Sequence, residues 1–354
     1  MRTLIVAAVL VATTAAAATA AGRPSRTIEG TWTARAEGAD RLHLTMHHET
    51  STWGNTTDRS QLQGLSDADI HAETSTPVAF RIDREPGLIE LEGSFRQGRG
   101  SGHFTFAPNR QFAGTLRSLG IRGADDVSEQ DLLQLAWAGV SARYVRDIQA
   151  AGMERMTVDE LAGLAAVGVT PAWLAEMRRL GYGGLSPDDA TGMRAVGVTA
   201  EYVSAMARAG YPRIPADDLT GMRAVGVTPE YVAALRAAGI RDLPVDEVTG
   251  MKAVGVTPEY IAELRAAGLA DVPADELAGM RAVGVTAAYI REMRAAGVSG
   301  LDTDGLTSMR ALGVTSAYVR ELAAAGVTGL TSERLAELKA LGIRPGAGAM
   351  RRRN

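Results

Sequence analysis

Five histidines are the side chains of this sequence best suited to metal binding or acid–base chemistry, and all lie between positions 43 and 103. His43 and His47 share one face of an expected strand but would lie about 13 Å apart, too far to share one ion. His48-Glu49 does not begin an H-E-x-x-H zinc motif, because threonine stands where the second histidine would be. We interpret the histidines as surface or structural residues. The alternative is a metal or small-ligand site with enzymatic activity, with weak candidates at His43, His48, His71 and His103.

Two further sets of residues, one aromatic and one basic, recur every 29 positions, the interval from Met222 to Met251. Both suit partner recognition, because tyrosine offers rigid contact area and a row of cations attracts acidic groups. The tyrosines could instead border the packed core. The cations could instead form ion pairs with glutamates of neighbouring repeats, each contributing little. The candidate partner-binding residues are Tyr202, Tyr231, Tyr260, Tyr289, Tyr318, Arg194, Arg223, Lys252, Arg281 and Arg310.

A glycine-valine-threonine turn between two short helices resembles the helix-hairpin-helix element, which offers backbone amides to nucleic-acid phosphates. Thr228 stands here in place of that element's second glycine, and Pro229 removes an amide that could donate. Glu230 adds negative charge where phosphate would approach. Nucleic-acid binding is therefore the least favoured function. Paired acids such as Asp217 and Asp218 have the positions of helix N-terminal charges rather than of a catalytic acid–base pair.

The 29-residue period predicts an array of two-helix repeats, which positions all of these side chains. In the unit 215–243, acids near the start favour a helix N-terminus, and Leu219, Met222 and Val225 give that helix one apolar face. Gly226 is expected to end it in the left-handed region, and the threonine that follows is expected to cap a second helix. We call these the first-type and second-type helices. Both are too short to persist alone in water, so neighbouring repeats must stack.

The residues before the repeats alternate between apolar and polar and contain glycines, as in antiparallel strands. The expected fold class is therefore α+β, with a small antiparallel β module followed by an αα-repeat solenoid. Strands are expected at 30–34, 42–46, 78–83, 87–95 and 102–106. The expected domains are a signal peptide at 1–21, the β module at 27–109, a solenoid of about seven repeats at 111–343 and a disordered basic tail at 344–354.

Composition restricts the compartment and the partners. Arg2, a short apolar run and an alanine-rich end are typical of a secretory signal peptide, so we expect a periplasmic or extracellular protein with no transmembrane segment after cleavage. Cysteine is absent, which excludes disulfides and lipidation at an N-terminal cysteine. A net charge of −4, with acids and bases interspersed, is not typical of a polyanion binder. No cofactor is expected.

Two segments resemble a known family. The phrase Gly255-Val-Thr-Pro-Glu-Tyr260-Ile, continued by Leu264-Arg-Ala-Ala-Gly268, resembles repeats found behind some bacterial sensor metallopeptidases of the penicillin-receptor antirepressor type. The segment Phe95–Asn109 resembles the β segment that precedes those repeats. The resemblance covers residues 27–342 and implies an extracytoplasmic module, with sensing as one use. Because the family's transmembrane helices and zinc motif are absent from this sequence, peptidase activity is not implied.

Together these features predict an exported, non-enzymatic repeat scaffold whose solenoid binds a protein or a cell-envelope macromolecule. Most positions of the repeat recur because stacking requires them, so the period indicates an architecture and says little about the partner. An enzyme that uses the β module is the main alternative. A spacer without any ligand is the third.

Overall fold

The computed structural model describes residues 27–38 and 40–344, so the expected signal peptide and residues 345–354 of the expected basic tail lie outside the described residues. The chain divides into two compact units, Met1–Ala142 and Arg143–Asn354. The first contains an antiparallel sheet of six strands, and a long series of short helices follows the sheet along the chain. The predicted α+β fold class with a helical repeat region is confirmed.

The sheet is built from six antiparallel strands, which are β1 (Ile28–Glu37), β2 (Arg41–His48), β3 (Ser51–Asp58), β4 (Thr76–Arg84), β5 (Gly87–Arg96) and β6 (Arg99–Pro108). Their order is β3-β2-β1-β6-β5-β4, so two three-stranded meanders meet where β1 pairs with β6. The five expected strands lie within β1, β2, β4, β5 and β6. The sequence does not predict β3, because this edge strand has a single apolar side chain, Trp53, and no alternation.

One face of the sheet holds the core of this unit, and Trp32 is fully buried on that face. Its indole Nε1 donates to the backbone oxygens of Glu92 and His103, both at 3.1 Å. A Cβ on Gly93 would lie 2.8 Å from the Trp32 ring, and one on Gly102 would lie 1.9 Å from the Glu92 oxygen. Gly93 on β5 therefore leaves room for the indole, and Gly102 on β6 allows the backbones of β5 and β6 to pair closely beside it.

Three helices accompany the sheet, namely α1 (Asp67–His71), α2 (Gln111–Ser118) and α3 (Glu129–Ala138). Reciprocal capping boxes begin α1 at Ser66 and α3 at Ser128. α2 buries Phe112 and Leu116, and α3 packs against β5 and β6. The sheet unit therefore extends beyond its last strand.

The second unit alternates second-type and first-type helices, in the order α4 (Ala142–Ala150), α5 (Val158–Ala166), α6 (Pro171–Arg179), α7 (Pro187–Ala195), α8 (Ala200–Arg208), α9 (Ala216–Ala224), α10 (Pro229–Ala237), α11 (Val245–Ala253), α12 (Pro258–Ala266), α13 (Ala274–Val283), α14 (Ala287–Ala295), α15 (Thr303–Ala311), α16 (Ser316–Ala324) and α17 (Ser332–Ala340). None of the described helices alone is long and apolar enough to cross a membrane. Only α5 and α6 together meet that length and composition, as a pair bent by 86°.

The repeat that contains α9 and α10 shows how the helix boundaries are fixed. Gly226 ends the first-type helix with φ at +79°, and the amide of Val227 donates to the carbonyl oxygen of Met222 at 2.8 Å. This i to i−5 bond is the Schellman arrangement, so the predicted left-handed stop is confirmed. Thr228 then caps α10, because its hydroxyl accepts a hydrogen bond from the amide of Tyr231 at 3.2 Å.

The core of this repeat differs from the expected one at a single position. Leu219 and Met222 are fully buried, as expected, but Val225 is 36% exposed. Successive steps of three residues drift by about 60° around a helix of 3.6 residues per turn, so Val225 has rotated away from the core. Val227, which follows the glycine stop, is fully buried instead. First-type helices of successive repeats pack against one another, with α9 between α7 and α11.

Candidate interaction surface

We call the recurring aromatic residues the aromatic column. They lie between neighbouring repeats. Each tyrosine hydroxyl donates to a backbone carbonyl oxygen 25 residues further along the chain, as from Tyr260 to Val285 at 3.0 Å. Trp173 makes the same contact to Val198 through its indole Nε1, at 3.1 Å. Of the two interpretations left open for this column, the core position fits this geometry. The tyrosines of the candidate set are 4–8% exposed; they are Tyr202, Tyr231, Tyr260, Tyr289 and Tyr318.

Burial also changes the acid–base behaviour of these phenols. It raises the pKa of Tyr231, Tyr260 and Tyr289 to about 12. The cause is the loss of hydration that the charged phenolate would suffer. Arg281 opposes the shift in the pKa of Tyr260, because a nearby cation favours the phenolate. At neutral pH these side chains are uncharged hydrogen-bond donors.

The recurring cations, which we call the basic column, are Arg194, Arg223, Lys252, Arg281, Arg310 and Lys339. From Arg223 onward, each cationic group lies 4.5–5.0 Å from the centroid of a tyrosine ring in the preceding repeat. At this distance a cation–π interaction contributes about 0.5–1 kcal/mol at a partly exposed site. The two columns thus form one ladder across the repeat interfaces, which pairs Arg223 with Tyr202, Lys252 with Tyr231, Arg281 with Tyr260, Arg310 with Tyr289 and Lys339 with Tyr318.

The arginines of this column also bind the glycine turn of the preceding repeat. Nε of Arg281 donates to the carbonyl oxygen of Gly255 at 3.0 Å, and a cation is favourable there because the turn ends a helix. The expected ion pairs with glutamates of neighbouring repeats do not form among the described residues. The same contact to a glycine carbonyl is made by Arg194 to Gly168, Arg223 to Gly197 and Arg310 to Gly284.

The histidines are distributed over the sheet unit. His43 and His47 share the solvent face of β2, and the Nδ1 atom of each lies 3.1 Å from a threonine hydroxyl of β3. Within residues 27–38 and 40–344, no three histidine or acidic side chains are grouped so that they could hold a metal ion. The weak metal candidates lie on β2 (His43 and His48), at the end of α1 (His71) and on β6 (His103).

The described part of the sheet unit has clefts at three places. One lies beside β4 and is lined by Gln63, Arg81 and Glu90 among others. The second lies at the end of β3, beside Asp58 and Arg59. The third lies between α2 and α3, beside Arg110 and Glu129, and no histidine lines any of the three. The histidines and the clefts are thus separate features of this unit.

The outward side of the first-type helices is a surface that the sequence pattern did not identify. Residues four apart share a helix face, and on α9 these are Asp217, Gly221 and Val225. Val225, Val254 and Leu312 occupy the same repeat position and are 36%, 37% and 41% exposed. We call this surface the glycine–valine face; its central part consists of Asp217, Gly221, Val225, Asp246, Gly250, Val254, Asp275, Gly279 and Val283.

Packing within the protein does not require glycine at the middle of this face. A Cβ built on Gly221, Gly250 or Gly279 would meet nothing within 4 Å. Glycine in a helix interior nevertheless costs about 1 kcal/mol relative to alanine. A glycine that interrupts an otherwise helical pattern is therefore the sequence signal that could have identified this face.

Comparison with known proteins adds no family to these observations. No protein-family model matches the sequence, and no curated protein matches it. The resemblance of the repeat phrase at Gly255–Gly268 to the repeats of sensor metallopeptidases therefore stays a prediction from the residues alone.

Proposed function

We propose that this protein is an exported, non-enzymatic scaffold whose repeat array binds a protein or another macromolecule of the cell envelope. The observation that carries the proposal is the glycine–valine face, where aliphatic side chains and helix-interior glycines recur at surface positions that packing does not explain. The tyrosines and cations that first suggested binding are already used between repeats. A partner would therefore contact the array mainly through other residues.

The chemistry of this face suits a macromolecular partner. Stacked repeats extend equivalent positions into one long surface, and exposed apolar patches often mark interaction sites. Glycine lets another backbone approach closely, because it has no side chain in the way. Export rests on the signal-like N-terminal residues, and a sensory use rests on the resemblance stated above.

Replacing Val225 and Val254 by aspartate is expected to abolish partner binding and to leave the fold intact. Both side chains lie on the glycine–valine face and are partly exposed, so two charges would disrupt an apolar contact there but little packing. The full-length chain serves as bait in an envelope extract, and each captured partner is purified and titrated against both proteins. We expect the Kd of V225D/V254D to rise at least about tenfold, equivalent to about 1.4 kcal/mol.

The matched control is A233D/A262D, which adds the same two charges at exposed positions on the second-type helices of the same repeats. This control is expected to bind like the unchanged protein. Equal loss of binding in both variants would show that charge, not the glycine–valine face, matters. Specific capture of nothing by the unchanged protein would favour a spacer without a ligand.

A further inference from the structure

Three arginines form a row across the solvent face of the sheet. Strand pairing places Arg35 of β1 opposite Arg99 of β6, and Arg99 opposite Arg96 of β5. Residues paired in this way share a face, with Cβ atoms about 4.5–5.5 Å apart. All three side chains are exposed. We call these residues the arginine row.

The arginine row is unfavourable for the sheet by itself. Like charges directly opposite one another on neighbouring strands are destabilising. Among the described residues, none of the three forms an ion pair. Arg96 has one contact, from Nε to the carbonyl oxygen of Glu73 at 3.2 Å. Most guanidinium donors of the row therefore point to solvent, on a chain whose net charge is −4.

A row of hydroxyl groups lies beside the arginine row. Thr33, Ser101 and Ser94 are two residues away along β1, β6 and β5, and the same register pairs them across the strands. Because side chains alternate along a strand, these hydroxyls are on the same face as the arginines. Guanidinium and hydroxyl groups together offer the hydrogen-bond donors that oxyanions accept.

We propose that the arginine row binds an acidic segment of a partner protein through its carboxylates. A planar guanidinium matches a carboxylate with two parallel hydrogen bonds. Acidic residues at i and i+4 of a helix have Cβ atoms about 5–6 Å apart, close to the spacing of the row across the strands. An acidic helix lying across β1, β6 and β5 would thus place one carboxylate beside each arginine.

A flat anionic membrane is a poorer match for this surface. Glu29, Glu90 and Glu92 are exposed on the same face, further along the same strands. Glu37, two residues beyond Arg35 on β1, is also exposed on this face, but its carboxylate accepts a hydrogen bond from Thr56 of β3, on the side away from β6. A membrane plane would meet these carboxylates together with the arginines, whereas a narrow segment that follows the row would avoid them. This inference concerns the sheet unit and is independent of the glycine–valine face.

Removing the arginine row is expected to weaken binding of an acidic polypeptide. The probe is poly-L-glutamate, titrated against the full-length protein by calorimetry at physiological ionic strength. R35Q/R96Q/R99Q should raise the Kd at least about tenfold, because three charged contacts are lost. The control R208Q/R213Q/R241Q removes three exposed arginines of the repeat array and should stay within about twofold. The melting temperature of R35Q/R96Q/R99Q should be equal or higher, since repulsion between the arginines is relieved.

Several outcomes would overturn the proposal. Equal weakening in the two triple variants would mean that poly-L-glutamate responds only to total charge. A lower melting temperature of R35Q/R96Q/R99Q would mean that the row stabilises the sheet. Binding of phosphatidylglycerol vesicles or polyphosphate that depends on the row, without binding of poly-L-glutamate, would assign the row to lipid or phosphate instead.

Discussion

Replacing Met251 by alanine lowers the free energy of unfolding of the repeat array by about 2–5 kcal/mol. The side chain is fully buried on α11, between the neighbouring first-type helices α9 and α13. Truncation removes apolar contacts and leaves a cavity, because the helices on both sides keep their own glycine stops and packing. Equilibrium unfolding of the full-length protein in urea, followed by far-ultraviolet circular dichroism, measures this loss.

The matched control is Met251→Leu. Leucine conserves volume and should cost less than about 1.5 kcal/mol. The chain itself uses leucine at the same repeat position, at Leu164 and Leu338. Equal costs for the alanine and leucine variants would show that buried volume at this position does not determine the stability of the array.

Replacing Tyr260 by phenylalanine costs about 1–3 kcal/mol, although only a hydroxyl group is removed. The hydroxyl donates to the carbonyl oxygen of Val285 at 3.0 Å, and both residues are buried. Without that donor the carbonyl is left without this partner in a place that water reaches poorly. The same urea titration, at about pH 8, where the phenol is uncharged, measures the difference between the two proteins.

A change of pH tests the contribution of the same hydroxyl without a further substitution. The folded-state pKa of Tyr260 is about 12, above the ordinary value of 10.0, so the unfolded chain releases this proton first as the pH rises. The stabilising contribution is fully present below about pH 10 and is lost as the pH rises towards 12. The stability difference between the unchanged protein and Tyr260→Phe should shrink over this range. A difference that stays constant up to about pH 12 would contradict the assignment.

Local chemistry in the sequence predicts the helix boundaries well. Gly226 and Thr228 act through backbone groups within a few residues, so their roles as stop and cap could be inferred from the sequence alone. Val225 was wrongly placed in the core, because two successive steps of three residues from Leu219 rotate it away from the buried side of the helix. β3 was missed because it joins the sheet through backbone pairing with β2, without an apolar pattern of its own.

The contacts of the candidate residues join positions that are far apart along the chain. The sequence places Tyr260 on a core-bordering helix position, but its acceptor at Val285 belongs to the next repeat and is found only once the repeats are stacked. The arginine row depends in the same way on the register between β1 and β6, which pairs Arg35 with Arg99. Sequence spacing shows which residues recur, whereas register and stacking decide which of them meet.

The aromatic and basic columns hold adjacent repeats together. A double-mutant cycle on Tyr260 and Arg281 tests this most directly, with Tyr260→Leu, Arg281→Gln and the double variant compared in urea unfolding of the full-length protein. Because the guanidinium lies 5.0 Å from the ring centroid, we expect a coupling free energy of at least about 0.5 kcal/mol. Strictly additive single effects, together with unchanged stability of Arg281→Gln, would contradict the claim.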